Sequence, residues 1–480
     1  MQHAGAKTAW YKLFNIVEDR SFGPEFRSKV YSTMIHIFSY FCPSSFQKNH
    51  MSDSSKKSGF KSFPRNFWTV IVMEFFERGS YYGVMSVLSV YLVMSTSEGG
   101  LGFSKESVGV IKSTITPLLY LLPILAGALA DRFGYRRTLM MAFAVMSTGY
   151  FLTSLSTSYS LVFLSLILMA IGAGFFKPVI SGTIARVTDE NNSGLGFGIF
   201  YWSINLGAFI FPLILVPYLK GIGWNYIFIM AAVGTGSMLL LNLFVYKEPE
   251  RPSNTKPLSE VLKGIILVLK DYRFVLMIVI YSGFWILYFQ MFDTVLWYLK
   301  DYMDMTPVNN AINSFLRLFV ENANWEFDAE HVTVINAGAI IVLQLLVSLI
   351  VKKTPALPTM IVGIAMGTLG MGILAISTYA WVFVAGLIIF SIGEMTAHPK
   401  FISYIGLIAP PDKKALYLGY SFLYGVIGSG IGGILGATLY VKFVDDMGRP
   451  GILWFIFSMI GVATIIGLLL FNRYLKPKQA

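Results

Sequence analysis

The sequence has few of the residues on which soluble and secreted domains depend. Charged residues make up 13% of its 480 positions, whereas a soluble domain carries about 25%. The single cysteine excludes an intramolecular disulfide framework and a cysteine-rich metal centre. By contrast, 55% of the residues are hydrophobic and the mean hydropathy is +0.63. The composition therefore predicts an all-α membrane protein that crosses the bilayer many times.

Several sequence patterns that would indicate catalysis are also missing. There is no P-loop lysine followed by serine or threonine, no metal-ligand cluster and no nucleophile–base pair. The glycine run from Gly428 to Gly433 lies in an apolar segment and predicts close helix contact rather than nucleotide binding. We therefore expect no enzyme, no cofactor and no metal. The net charge of +11 indicates the basic loops of a membrane protein and not a nucleic-acid surface.

About twelve apolar segments are each long enough to cross a bilayer as a helix, which takes about 20 residues. We number them span one to span twelve. The first six are predicted at 68–94, 107–130, 138–156, 160–182, 195–218 and 225–246, and the second six at 274–299, 332–351, 359–378, 381–407, 417–441 and 452–472.

These spans divide the chain into two six-helix halves. We predict a polar extension at 1–66, a first helix bundle at 67–246, a charged linker at 247–272 and a second bundle at 273–475. Two such halves with a substrate site between them are typical of secondary transporters.

Lysine and arginine are concentrated in alternate loops. One set of loops includes Arg132, Arg136, Arg137, Lys352 and Lys353, whereas the long insertion at 300–331 in the other set is rich in acids. We call the two ends of the spans the basic side and the acidic side. Because basic loops stay in the cytoplasm, we predict a plasma-membrane protein with both termini cytoplasmic and the insertion outside.

Span one carries three charges in an apolar run. Glu74, Glu77, Arg78 and Tyr81 follow helical spacing and therefore share one face. Each charge near the bilayer centre costs roughly 2.5–3.5 kcal/mol, so this face is predicted to line a polar pathway. The alternative is a buried glutamate–arginine pair that only holds helices together.

Two further charges, Lys177 in span four and Glu394 in span ten, are predicted to partner each other. Because acids outnumber bases within the spans, an unpaired buried carboxylate is available to bind and release protons. We predict Glu77, and next Glu74, as the proton carriers. The complete set that we count within the spans is Glu74, Glu77, Asp293 and Glu394 against Arg78 and Lys177.

The loop between spans two and three resembles the G-x-L-x-D-R-x-G-R-R loop of the major facilitator superfamily. The resemblance implies a gate loop in which the aspartate caps a neighbouring helix and the arginines form ion pairs. A purely topogenic basic loop is the alternative. The matching residues are Gly127, Asp131, Arg132, Gly134, Arg136 and Arg137.

Five motifs in order resemble those of one branch of that superfamily, the proton-coupled oligopeptide transporters. Span one matches E-x-x-E-R-F-x-Y-Y at Glu74, Glu77, Arg78, Tyr81 and Tyr82, with Gly79 in place of phenylalanine. The other matches are Tyr120 to Pro123 in span two, Gly172 to Pro178 in span four, Phe200 to Gly207 in span five, and Gly393-Glu394 with Pro399 in span ten.

The resemblance implies a major facilitator fold and symport of protons with di- or tripeptides by alternating access. Arg78 and Lys177 suit a peptide carboxylate, and Glu394 and Asn205 suit its ammonium group. Further substrate contacts are expected from Tyr81, Tyr82, Tyr120, Trp285 and Asn336. The expected partners are a short zwitterionic peptide, protons and the lipid bilayer, and the protein is expected to be a monomer.

Span seven departs from the family pattern. Phe289 occupies the place of a protonatable glutamate that pairs with the first-span arginine, and Asp293, four residues on, is the predicted substitute. The open alternatives are a carrier of an amino acid, organic anion or nitrate, a facilitator without protons, and a transport-inactive sensor. His398 is interpreted as a structural residue rather than a proton relay.

Overall fold

The computed structural model describes residues 62–189, 192–250 and 258–475. Within these ranges the chain is almost entirely α-helical, which confirms the predicted fold class. Predictions that concern residues 1–61, including most of the polar extension, lie outside the described residues.

The first half contains six consecutive spans. Span one consists of two helices, Arg65–Met85 and Leu88–Val93. Span five begins as Ser193–Ile210 and continues through a π-helical turn into Val216–Ile222. The other spans are single helices: span two Lys105–Phe133, span three Tyr135–Leu155, span four Tyr159–Val187 and span six Asn225–Phe244.

The second half begins after an amphipathic linker helix, Leu258–Leu269. Span seven is broken into Tyr272–Phe289 and Thr294–Tyr302, and span eleven into Lys414–Tyr420 and Leu423–Tyr440. The acidic insertion contains the helix Thr306–Leu316. The other spans are span eight Glu330–Val351, span nine Ala356–Ile373, span ten Ala380–Ile408 and span twelve Pro450–Tyr474.

Eleven helices of the described chain are long and apolar enough to cross a membrane. Span one is the remaining predicted span. It lies within the same bundle, but it is interrupted at Ser86 and carries the three charges noted above. Its polar groups are buried inside the protein rather than exposed to lipid, which is where such groups are tolerated in a bilayer.

The two halves have the same helix arrangement. In the first half, span one packs on spans five and six, span three on spans four and six, and span two on span four. In the second half, span seven packs on spans eleven and twelve, span nine on spans ten and twelve, and span eight on span ten. Each pair in one half therefore has its counterpart six spans later in the other.

The two most extensive contacts between the halves are each made by a pair of spans. Span two packs on span eleven and span five packs on span eight, and the symmetry relation exchanges these two contacts. At the first contact the backbones are very close, since a Cβ added at Gly433 would lie 2.6 Å from the Ser113 Oγ and 2.9 Å from the Gly109 carbonyl oxygen. Small residues at helix interfaces permit such an approach.

Candidate substrate site

A narrow cavity lies between the two halves. The first half supplies three cationic side chains to its wall, Arg78, Lys112 and Lys177, and the second half supplies Asp293. Aromatic residues from both halves complete the wall: Tyr81, Tyr82, Tyr120, Tyr288, Phe289 and Phe292. A small molecule held here would contact both halves at once.

The charged face of span one lies at this cavity. Arg78 donates two hydrogen bonds to Glu77, one of them 2.5 Å from Nη2 to Oε1, and its Nε lies 3.7 Å from the Glu74 Oε1. All three side chains are buried. The second oxygen of Glu74 has no hydrogen-bond partner among the described residues. This cluster therefore has one more carboxylate than its single arginine can neutralise.

Lys177 and Glu394 do not form the ion pair that was predicted. The Lys177 Nζ lies 5.5 Å from the centroid of the Tyr120 ring. The Glu394 Oε2 instead accepts a 2.9 Å hydrogen bond from the Asn336 amide. Lys177 lines the cavity, whereas Glu394 and Asn336 belong to a separate polar contact between spans eight and ten.

Lys112 in span two forms a buried ion pair that the sequence analysis missed. Its Nζ lies 3.1 Å from the Asp293 Oδ1, and the two side chains are 5% and 6% exposed. A substitute for the missing glutamate would be expected to pair with Arg78. Asp293 pairs with Lys112 instead. The sequence analysis did not count Lys112 among the charges within the spans. Its position inside the predicted span two could have identified it as one of them.

Phe289 and Asp293 both line the cavity, but a regular helix does not connect them. A 3₁₀ turn at Gln290–Phe292 separates the two helices of span seven, and Asp293 lies at the break. Phe289 packs edge-on against Tyr120, with 5.9 Å between the ring centroids. An apolar ring thus occupies the position of the family's glutamate, while the carboxylate reaches toward span two.

Other predicted residues lie away from the cavity wall. The Asn205 amide donates 2.9 Å to the carbonyl of Tyr201 in its own helix. Trp285 stacks on Tyr424 with 4.5 Å between ring centroids. His398 lies in this aromatic cluster, 3.4 Å from the Tyr281 hydroxyl. Of these side chains, Trp285 packs against the aromatic residues of the cavity wall.

In the gate loop, the contacts of Asp131 and Arg136 differ from those that the family resemblance implies. Asp131 accepts a 2.7 Å hydrogen bond from Arg186 at the end of span four, and no helix of the described residues is capped by it. Arg136 donates to the carbonyls of Leu243 and Asn242, at the carboxyl end of span six, rather than to a carboxylate. A cation at this end of a helix is favoured by the helix dipole.

Linker and turn geometry complete the gate loop. The backbone N–H of Tyr135, the first residue of span three, donates 3.0 Å to the Glu248 carboxylate, so the linker supplies the cap. Gly134 forms the turn with a φ of +98°, a conformation suited to glycine. The remaining residues of the motif are Gly127, which faces Pro178, and Arg132 and Arg137, which are exposed.

Ion pairs between the halves close the acidic side. Lys105 in span two lies 2.8 Å from Asp445 after span eleven. Lys220 at the end of span five lies 2.7 Å from Asp328 and 2.6 Å from Glu330 at the start of span eight. These ion pairs connect the same two pairs of spans that pack most closely between the halves, and the Lys112–Asp293 pair adds a contact between spans two and seven.

Asp328 lies outside the spans and has an additional cationic neighbour. Its carboxylate is 3.0 Å from the Lys300 ammonium group as well as 2.7 Å from Lys220. Burial raises the pKa of Asp328, but the two lysines outweigh this effect and hold the pKa at about 2. The carboxylate is therefore charged at any physiological pH.

The basic side carries a wide vestibule. It shares Tyr120 and Lys177 with the central cavity, so these two side chains separate the two spaces. Glu260 and Lys263 of the linker helix form part of its wall. The protein is thus closed by ion pairs on the acidic side and indented on the basic side.

The chain is a multi-pass membrane protein in which two six-helix halves surround a polar cavity. A profile described as "Major Facilitator Superfamily" matches residues 68–433. Because the match covers well over half of the chain, the protein belongs to the major facilitator superfamily, which is a family of transporters.

Solved structures and a curated relative narrow the resemblance. A peptide transporter POT in complex with sulfate has a TM-score of 0.72 and 21% identity, covering 87% of this chain and 95% of that one. A POT family transporter in complex with 5-aminolevulinic acid has a TM-score of 0.70 and 22% identity, covering 87% and 98%. At these identities the likeness shows the fold alone.

The di-/tripeptide transporter of Lactococcus lactis subsp. lactis (strain IL1403) is 31% identical over 242 residues. The match covers 47% of this chain and 46% of that protein, so this chain spans less than half the length of that relative. The resemblance to oligopeptide transporters that the motifs predicted is confirmed. The roles of individual residues stay predictions.

Proposed function

We propose that this protein is a secondary active transporter that carries di- or tripeptides together with protons by alternating access. The observation that supports this most directly is the cavity between the halves, in which Arg78 and Lys177 face aromatic walls. A cavity shared by two pseudo-symmetric halves suits a substrate that is released when the halves rock against each other.

Lys177 is the best candidate for the peptide carboxylate. Arg78 is already engaged by two carboxylates, whereas Lys177 has no ion-pair partner among the described residues. A substrate carboxylate would supply the missing counter-charge. Glu394 remains our candidate for the peptide ammonium, although a movement of span ten or a rotamer change must bring it to the cavity.

The proton is assigned to the span-one carboxylates. Arg78 neutralises one negative charge, so either Glu77 or Glu74 is favoured to carry a proton when the cavity is dry. A proton on Glu74 or Glu77 would be next to Arg78, the arginine that lines the cavity. We expect a proton gradient, without a cofactor, to drive transport.

The ion pairs on the acidic side suggest which conformation is described. If the basic loops are cytoplasmic, as the positive-inside rule predicts, the vestibule opens inward and the Lys105, Lys112 and Lys220 pairs close the outside. Outward opening then requires these pairs to separate. We place the protein in the plasma membrane as a monomer, with both termini inside.

Uptake of a labelled dipeptide into proteoliposomes tests the proposal. We expect accumulation above equilibrium with an inward proton gradient and loss of accumulation when an uncoupler collapses the gradient. Uptake that equilibrates at the same rate with and without the gradient would instead identify a facilitator. No uptake and no dipeptide binding would contradict the substrate assignment.

One observation favours a second candidate, a carrier of a smaller zwitterion. The central cavity is narrowed by Phe289, and Asp293 is engaged by Lys112. A structural neighbour holds 5-aminolevulinic acid, which is smaller than a tripeptide. Competition of the labelled dipeptide by unlabelled amino acids, dipeptides and tripeptides separates these possibilities. Preferential competition by amino acids would replace the peptide assignment.

A further inference from the structure

A groove on the outer surface of the second half has no role in the proposed transport. Spans eight and nine diverge there, and span ten forms the floor, since both helices pack on span ten. The groove is open toward the outside of the bundle and lies near the basic side. Its lip is formed by Ile350 and Val362, which are 68% and 56% exposed and therefore face the surrounding lipid.

The walls of the groove offer almost nothing to a polar ligand. Val347 and Met366 line it beside Ile392. The hydroxyls that reach it are already used, since Thr359 donates to its neighbour Pro355 at 2.7 Å and Thr396 donates to Ile392 at 2.8 Å. The body of any ligand here must therefore be apolar.

Three lysines surround the basic end of the same groove. Lys352 and Lys353 are exposed in the loop that joins spans eight and nine, and the Lys400 Nζ donates 2.7 Å to the Thr354 carbonyl. None of the three forms an ion pair with a carboxylate of the described chain. A ligand with one anionic group and a long apolar part would complement both the lysines and the groove.

The pseudo-symmetric loop of the first half supports this reading. Six spans earlier, the loop between spans two and three also carries cations, but there Asp131 pairs with Arg186 and Arg136 bonds to helix carbonyls. Arg136 and Asp131 of the first loop are thus satisfied internally, whereas Arg132 and Arg137 are exposed as the lysines after span eight are. The corresponding lysines after span eight lack such partners and remain available to an external anion.

We propose that this groove binds an anionic phospholipid, with one acyl chain between spans eight and nine and the phosphate at Lys352 and Lys353. Basic pockets between membrane helices recognise anionic headgroups in this way. The assignment does not depend on the substrate of the transporter. It predicts that anionic lipids bind more tightly than neutral lipids, and that this preference depends on the groove and not on the basic side as a whole.

The test measures lipid binding to the full-length purified protein. Delipidated protein is titrated with phosphatidylglycerol or phosphatidylcholine, and bound lipid is counted by native mass spectrometry beside the thermal unfolding midpoint. We expect tighter binding of phosphatidylglycerol. A Lys352→Gln/Lys353→Gln variant should weaken it by roughly 10- to 30-fold, since each lysine near a charged lipid contributes about 1 kcal/mol.

Two further variants separate the groove from diffuse attraction. Val362→Trp fills the groove without changing charge and should also weaken binding of phosphatidylglycerol. Lys270→Gln/Arg473→Gln removes two exposed charges elsewhere on the basic side and should leave it unchanged. Soluble glycerol phosphate should not displace the lipid, because it lacks the chain that fills the groove.

Three results would overturn the proposal. These are equal binding of both lipids, equal losses in the two charge-neutralising variants, and undiminished binding to Val362→Trp. Far-ultraviolet circular dichroism and gel filtration establish that each variant is folded before its binding is compared. If Val362→Trp does not fold, Val362→Phe provides the same test with a smaller ring.

Discussion

At the scale of single residues, the charges within the spans explain the candidate site. Arg78 is surrounded by two carboxylates, Lys177 lacks one, and Lys112 and Asp293 neutralise each other. A buried charge without a partner is costly, so each imbalance is a place for a substrate charge or a proton.

Glu77→Gln should abolish proton-driven uptake while sparing counterflow. The amide keeps the shape of the side chain beside Arg78 but cannot carry a proton away. Counterflow, in which labelled and unlabelled substrate exchange without net proton movement, should remain close to that of the unchanged protein. Glu98→Gln, in an exposed turn, is the control. Equal loss of uptake and counterflow would argue against a role as proton carrier.

Lys177→Ala should weaken substrate affinity with little effect on folding. A hydrogen bond between charged partners contributes about 1.5–3 kcal/mol, so we expect a roughly 10- to 100-fold rise in the dissociation constant. Binding of a dipeptide and of its carboxyl-amidated analogue should be measured by calorimetry. The variant should lose the preference for the free carboxylate. An unchanged preference would assign the carboxylate to another side chain.

Lys112→Gln and Asp293→Asn should each destabilise the described conformation. Each leaves one buried charge unpaired, which in other proteins costs roughly 3–5 kcal/mol. The exchanged pair, Lys112→Asp with Asp293→Lys, should recover part of the lost thermal stability. Asp293→Asn should also change the pH profile of uptake if Asp293 substitutes for the missing glutamate. An unaltered profile would limit Asp293 to holding the halves together.

At the scale of helices, the close contact of spans two and eleven depends on glycines. Ala437 and Gly433 approach Gly109 so closely that an added Cβ at Gly109 would lie 2.6 Å from the Ala437 Cβ. Both backbones would have to move to accommodate larger side chains. The acidic side is therefore closed by shape as well as by charge.

Gly433→Leu should separate spans two and eleven and expose the cavity from the acidic side. The measurement is labelling of Ser429→Cys, whose side chain lines the cavity, by a membrane-impermeant maleimide. Replacing Cys42 with serine removes the only native thiol. Labelling should become severalfold faster. Gly406→Leu, where an added side chain meets open space, is the control. Equal labelling in both variants would contradict the interpretation.

At the scale of the whole molecule, charge is distributed unevenly between the two sides. The ion pairs of Lys105, Lys112 and Lys220 join the halves at the acidic side, whereas the basic side has the vestibule. Opening the acidic side requires the separation of three charged contacts, two of which have their lysine in span two and one in span five. Since these contacts act together, the acidic side is expected to open cooperatively.

Acid should weaken the contribution of Asp328 to this closure only at very low pH. The pKa of Asp328 is lowered from 3.8 to about 2, so its stabilising effect is complete above about pH 4 and is lost as the pH falls through 2. Asp328→Asn should therefore lower the free energy of unfolding by on the order of 2 kcal/mol at pH 6. The difference between variant and unchanged protein should shrink toward pH 2. A constant difference would exclude charge as its cause.

The number and order of the spans could be predicted from the sequence because the lipid bilayer strongly restricts the structures that can cross it. A helix that crosses a bilayer must satisfy its own backbone and show a long apolar surface, and every predicted span has a counterpart in the structure. The spacing of Glu74, Glu77 and Arg78 likewise predicted their shared face. The partners of Lys112 and Asp131 could not be predicted from the sequence, because they lie on other helices, far away along the chain.

The sequence by itself determined the number and position of the spans, the basic and acidic sides and the resemblance to oligopeptide transporters, since all of these follow from local hydropathy, charge and motif. Only the tertiary structure decided that Asp293 pairs with Lys112, that Glu394 pairs with Asn336, and that the acidic side is closed. The physical reason is that an ion pair depends on distances of a few ångströms between helices, and helix packing sets those distances.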